Sequence, residues 1–362
     1  MNPGGVTTGA SRESITFDAT RNGLPDFIDL ESYRKIGNNK ALMDILLRDR
    51  NTGSNVMWAT DDYSSLGPGF GAKDQIQYLF IVNPNHVIRP RFLKTDSEQR
   101  NRSKDRAEVF TPPWIVNKQN NLVDEQWTGR KNPFNIENEA MRTWTPTDNV
   151  DLGDHGWKEY VRSIRMEVGC GEAPYLTTRY DPTDGMSIPV EYRTGLLDRK
   201  LRVITENVPV GSPLTWIEWA KAAVKSTYAY DFQGDNVVLA RENLLLTVSE
   251  HYRSRFGCEL EQKILAEISE ILSWNVWQMD GMSYVVPFTC QKQQTVGGED
   301  PILNHCVACR TGKGMHSGTK CKIMDWETSE AVDFASLLKE SKKEVPKASP
   351  GKSVVSLEKY GM

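Results

Sequence analysis

Between residues 162 and 281 the chain alternates short β-like runs with helical ones, and this alternation limits the fold more than any other feature. RSIRMEV (162–168) has strand character and runs into Gly169-Cys170-Gly171. A helix is expected over 215–227, a strand at YAYDF (228–232) and a helix over 236–253. A further helix is expected over 259–273, where Leu260, Ile264, Leu265, Ile268, Ile271 and Leu272 share one face. Strand–helix–strand alternation packs helices on the faces of a mainly parallel sheet, so the expected class is α/β.

The flanks read differently. Residues 1–22 are polar and rich in Gly, Ser and Thr. A helix is expected within 40–49, followed by β-like runs at 55–60, 77–82 and 86–93 between Gly-, Asp- and Pro-rich turns. These make a small N-terminal α+β domain over 1–105. Residues 108–123 read as a helix with Pro113 in its first turn, and 128–157 as loop. The α/β region spans 106–285. A Cys/His-rich segment follows over 286–338, and 339–362 is a Lys/Ser/Pro-rich tail with the composition of a solvated end.

Composition excludes several classes. Among 362 residues, 10 Trp, 11 Phe and 12 Tyr supply apolar bulk for a core, which argues against global disorder. No run approaches the roughly 18 apolar residues of a membrane span, so no membrane partner is expected. The first residues lack the apolar centre of a secretory signal. Six Cys in a chain of this length do not make a disulfide scaffold, and a cytoplasmic location is expected. A net charge of −4 means that any nucleic-acid contact must use a local patch or a partner. The densest positive segment holds Arg89, Arg91, Lys94, Arg100, Arg102, Lys104 and Arg106; GLLDRKLRV (195–203) is a second candidate. Both read equally well as solvated surface. Trp216, Trp219, Trp274 and Trp277 read as core.

Three short elements form a candidate nucleotide site. Gly169 and Gly171 follow the first strand, where a glycine turn lets backbone approach a ligand closely. Asp231 ends the next strand, placed to accept hydrogen bonds from a ribose diol. Asp280, in NVWQMDG (275–281), is placed to accept from an exocyclic adenine amine. Singly, each is equally a turn glycine or a solvated carboxylate.

Together they resemble the adenine-N6 DNA methyltransferases, especially the modification subunits of restriction–modification systems. The family's glycine motif, approximately D-P-A-C-G-S-G-x-F-L, stands here as EVGCGEAPYL (167–176). Its acidic strand followed by A-R-x-N-L-L stands as YAYDFQGDNVVLARENLLL (228–246), its F-T-P as Phe110-Thr111-Pro112, and its Q-G-D as Gln278-Met279-Asp280. The match covers about residues 105–285. It implies a Rossmann-like methyltransferase sheet that binds S-adenosylmethionine. Phe110, Thr111 and Pro112 would line the methionine end, Glu167, Gly169 and Gly171 would shape the turn, Asp231 would hold the ribose and Asp280 the adenine. Two positions depart from the pattern: Ala173 replaces the second glycine and Glu172 the adjacent serine.

The family's catalytic [DNS]-P-P-[YFW] segment, whose acceptors aim the target nitrogen while the ring stacks on the flipped base, does not follow Asp280. The nearest string, Thr111-Pro112-Pro113-Trp114, already belongs to the upstream motif, and Thr lacks the amide or carboxylate acceptor. No catalytic residue is therefore assigned. A sheet short of its later strands has a bare edge, so a partner subunit or homo-oligomer is expected. Glu261-x-Lys263 has a nuclease-like form but lies on the polar face of a helix.

Cys306-x2-Cys309-x6-His316-x4-Cys321 has zinc-site spacing in a Gly-rich segment, with Cys290 and His305 as spare candidates. Four protein ligands would make the zinc structural. Two readings follow. One is an S-adenosylmethionine-binding modification subunit that acts on double-stranded DNA and takes its catalytic motif from another chain. The other is a catalytically silent subunit that binds DNA or a partner in a restriction or anti-phage assembly.

Overall fold

The structure is a computed structural model that describes residues 30–82, 87–95, 111–290, 306–311 and 315–341. It is a mixed α/β protein. At its centre is a parallel sheet of three strands, β3 (Arg165–Val168), β4 (Thr227–Asp231) and β5 (Val276–Gln278), in the order β3-β4-β5. Helices Leu196–Asn207 and Pro213–Lys225 connect β3 to β4; helices Gly234–Phe256 and Gln262–Asn275 connect β4 to β5. Two hairpins flank this unit, β1 (Asn135–Asn138) with β2 (Thr143–Pro146), and β6 (Lys322–Asp325) with β7 (Glu330–Asp333). The alternation in the sequence is thus realised as parallel strands with helical crossovers.

The helix Gly234–Phe256 is buried along most of its length and forms the spine of the core with Trp216, Leu201 and Leu272. At its start a Cβ on Gly234 would lie 1.9 Å from the Met57 carbonyl oxygen. Ile36, Leu46, Trp58 and Ile76 belong to the same hydrophobic cluster as the sheet's Ala229 and Val276.

The other face of the sheet is covered differently. Tyr228, Tyr230 and Trp277 pack against Val286, Cys321 and Phe334, so the C-terminal hairpin supplies the cover over β4 and β5. That cover stops short of β3. Ile164 and Val168 are 72 % and 65 % exposed, with Met166 exposed between them. Among the described residues no strand pairs with the free edge of β3.

Several expectations are corrected. The run at 77–82 contains a short helix, Tyr78–Ile81, and Arg91–Leu93 forms a 3-10 turn; short apolar runs do not distinguish helix from strand. Residues 55–60 make only isolated bridges, such as Met57 with Gln75. The described part of the N-terminal region is therefore helices and turns, without the strands of an α+β domain. Conversely, 128–157 contains a hairpin, and the helix Trp157–Arg162 starts at its last residue. Its first strand is polar because Asn135 turns inward, bonded to Asn117 and Asn121. The 195–203 segment is not a basic surface: Asp198, Arg199 and Lys200 are buried. The tail beyond residue 341 and residues 96–106 lie outside the described residues, while 339–341 end the helix Phe334–Ser341; Lys94 is buried against Asp235 at 3.4 Å.

The helix Pro113–Thr128 is fixed to this core by charge. Asp124, fully buried, accepts from Arg199 Nη1 at 2.7 Å, Arg165 Nη2 at 3.1 Å and the Tyr160 hydroxyl at 3.0 Å. Removing one partner of such a group leaves the remaining charges uncompensated, so Asp124→Ala is expected to lose about 3–5 kcal/mol of stability, read from urea unfolding.

Candidate functional site

The C-terminal ends of the three parallel strands meet at one edge of the sheet. Cys170 N donates to the Tyr230 carbonyl at 3.0 Å, and Met279 N to the Asp231 carbonyl at 3.0 Å. The structure therefore brings Gly171 and Asp231 into contact beside Gly169 and sets Asp280 just past the tip of the neighbouring strand β5. Gly169 and Gly171 have φ of +59° and +53°, the left-handed region, and a Cβ on either would meet nothing within 4 Å. These glycines leave backbone bare toward open space.

Asp231 is tied to this turn. Its Oδ2 accepts from Gly171 N at 2.8 Å; Oδ1 accepts from Gln233 N at 2.8 Å and Asn236 Nδ2 at 3.4 Å. A carboxylate has about four acceptor sites, so one remains. Burial pushes its pKa up to about 6, with backbone hydrogen bonds from Gln233 and Gly171 opposing. Its charged form thus costs the fold on the order of 3 kcal/mol at neutral pH.

Glu167 serves the turn itself. Its oxygens accept from Tyr175 N at 3.4 Å and Leu176 N at 3.2 Å, closing the loop that starts at Gly169. Burial raises its pKa to about 8. Glu172 is turned inward, accepting from Arg91 N at 2.6 Å and from the Tyr180 hydroxyl. Ala173 takes a left-handed φ of +64° where the resembling motif has glycine.

Asp280 is half-exposed and organises its own turn, accepting from Met282 N at 2.9 Å and Ser283 Oγ at 2.7 Å. Thr111 and Pro112 precede the helix Pro113–Thr128, which reaches the glycine turn through Asn120 Nδ2, 3.0 Å from the Tyr175 carbonyl. Phe110 lies outside the described residues.

The A-R-x-N segment is scaffold. Arg241, fully buried, donates to the carbonyls of Leu46, Arg48, Ser273 and Val276, and Asn243 Nδ2 donates to the Glu172 carbonyl at 2.9 Å. Gln278 is also structural, bridging Met57 and the Phe232 carbonyl.

Beside the tip of β4 lies a shallow, open hollow whose lining includes Phe232, Phe288, Thr60, Asp61, Lys73 and Asp74. The two rings lie 6.3 Å apart, edge to face. Sequence reasoning missed both. The exposed Phe232, directly after Asp231, is the signal that marks this position.

The Cys/His segment forms a cluster, but with one member exchanged. Cys290, Cys306, Cys309 and His316 place their ligand atoms within 4.8 Å of one another. The expected fourth ligand, Cys321, is buried away from them in the second apolar cluster, its sulfur 3.5 Å from the Gln278 carbonyl. Cys321 N pairs with the Tyr284 carbonyl, which turns its side chain toward β5. His305 lies outside the described residues.

No family model matches the chain, and no curated protein or solved structure matches it. No described helix is long and apolar enough to cross a membrane.

The open space at Gly171 contrasts with Gly195, where a Cβ would sit 2.5 Å from the Leu176 oxygen. Gly171→Ala is expected to cost only the left-handed strain, about 1–2 kcal/mol. Gly195→Ala, which forces backbone apart, is expected to cost about 3 kcal/mol. Denaturant unfolding of the two variants measures the difference.

Proposed function

We propose that this chain is the S-adenosylmethionine-binding part of a DNA modification system, of the adenine-N6 methyltransferase kind that its motifs resemble. The observation that carries the reading is the meeting of Gly169, Gly171, Asp231 and Asp280 at adjacent strand tips, with open space at both missing Cβ positions. In this reading the amino-acid end of the cofactor lies against the bare glycine turn, flanked by Phe110, Thr111 and Pro112. The free acceptor site of Asp231 takes one hydroxyl of the ribose, and Asp280 receives the adenine amine. The exposed Phe232 ring gives the purine a flat apolar surface at the mouth of the hollow.

No acceptor–Pro–Pro–aromatic segment follows Asp280 in these 362 residues, so in this reading the segment that orients the target amine of double-stranded DNA comes from outside them. The free edge of β3 supports this: among the described residues no strand pairs with it, and strands added there extend the parallel sheet. The silent binding subunit remains the alternative, and methyl transfer separates the two.

Calorimetry with S-adenosylmethionine tests the cofactor. In this reading the ionised Asp231 carboxylate accepts one ribose hydroxyl at its free site. With its pKa near 6, affinity should fall about tenfold from pH 7.5 to pH 5, following its ionised fraction. Asp231→Asn should weaken binding and flatten that dependence. No binding by the folded wild-type chain at pH 7.5 ends the reading. If the cofactor binds, tritiated methyl transfer to unmethylated DNA, with and without co-expressed neighbouring gene products, distinguishes a modification subunit from a silent one.

A further inference from the structure

The cluster of Cys290, Cys306, Cys309 and His316 has the geometry of a metal site. The Nδ1 atom of His316 lies 3.6 Å from Cys290 Sγ, 3.7 Å from Cys306 Sγ and 3.3 Å from Cys309 Sγ. Ligands about 2.3 Å (sulfur) and about 2.0 Å (nitrogen) from one zinc ion stand roughly 3.5–3.8 Å apart along tetrahedral edges. The sulfurs of Cys306 and Cys309 are 3.1 Å apart and both thiols are free, whereas a disulfide closes to about 2.05 Å. The enclosed space suits one ion.

Two independent features serve the cluster. Cys309 N donates to Cys306 Sγ at 3.2 Å, a bond that favours thiolate at the C-x-x-C turn. Gly318 leaves room beside Cys290: a Cβ there would lie 3.1 Å from Cys290 Sγ and 2.8 Å from Thr289 Oγ1. The segments that carry Cys290 and His316 are also laced together. Val286 N donates to the Thr319 carbonyl at 2.9 Å, Cys321 N to the Tyr284 carbonyl at 3.1 Å, and Thr319 N to Thr289 Oγ1 at 2.9 Å. The four ligands close the end of this ladder.

We propose that Cys290, Cys306, Cys309 and His316 hold one zinc ion in a closed four-ligand site. Three thiolates and an imidazole suit zinc, and four protein ligands leave no open position for catalysis. The ion's work is structural. It staples the segment that leaves Asp280 to the segment that enters β6, and so fixes Phe288 and the apolar cover of Tyr230 and Trp277.

Elemental analysis of the full chain, purified without chelator, tests the site. About one equivalent of zinc is expected. Cys290→Ser and the double variant Cys306→Ser/Cys309→Ser should each drop below about a tenth of an equivalent, given that zinc sites depend on every ligand. Cys258→Ser, an exposed cysteine elsewhere, should keep the metal. Hydrogen exchange gives a second readout: chelation should deprotect residues 282–290 and 315–325 while β4 stays protected. Less than a tenth of an equivalent in the wild type, iron in place of zinc, a Cys306–Cys309 disulfide in the freshly isolated chain, or full occupancy in Cys290→Ser would each overturn the proposal.

Discussion

A single buried carboxylate sets the frame. Asp124 sits between the guanidiniums of Arg165 and Arg199, with the Tyr160 hydroxyl as a third donor. Arg165 opens β3, Arg199 lies on the first crossover helix, and Asp124 belongs to the helix that begins at Pro113. One charge thus fixes the direction in which β3 leaves toward the glycine turn. Hydrogen bonds to charged groups are among the stronger ones in proteins and depend on direction, so the cluster specifies orientation as well as contributing energy. The apolar core alone would tolerate small rotations of that helix; the fork of Arg199, also bonded to Asn117 and Asn121, would not.

At the far end of β3 two carboxyl groups are held against their preference for water. Burial raises Glu167 to about 8 and Asp231 to about 6. For a raised carboxyl the stability contribution is largest at low pH and is lost as pH rises through the folded pKa. Glu167 recovers part of this loss by closing the glycine turn. Asp231 also orders the turn but keeps an acceptor free, so its desolvation has no complete internal compensation. Desolvated acids of this kind cluster where ligands bind, because a ligand supplies the missing donors.

The elements that were legible in the sequence are those whose pattern is set by one surface. The helix at Gln262–Asn275 shows its apolar stripe, and the strands Arg165–Val168 and Thr227–Asp231 fall within or next to the two runs read as strands. The hairpin Asn135–Pro146 was not legible, because its inward residue is an asparagine satisfied by other asparagines. Asp198, Arg199 and Lys200 misled for the same reason. Lys200 is buried with only neutral oxygens as hydrogen-bond partners, those of Ser163, Ser226 and Thr227, and no periodicity rule anticipates a helix that turns its charges inward. In the Cys/His segment, spacing named the C-x-x-C pair and the histidine but not the fourth thiol. Which sulfur faces the others depends on strand register: Cys321 lies in a ladder that aims it at β5, and Cys290 lies where that ladder ends.

The C-terminal segment then explains how a sheet this small persists. Three short strands need cover on both faces. One face has the long helices, with Gly234–Phe256 as spine. On the other, among the described residues, the β6–β7 hairpin, Val286 and Phe334 cover β4 and β5 and leave Ile164, Met166 and Val168 exposed. An exposed edge strand with an apolar row is a surface that proteins usually shield with charge, proline or another element. Here none of these shields stands on the exposed row of β3, and the same strand leads into Gly169 and Gly171. Whatever pairs with β3 would therefore also stand beside the glycine turn, so the covering of the edge and the completion of the site are one structural problem.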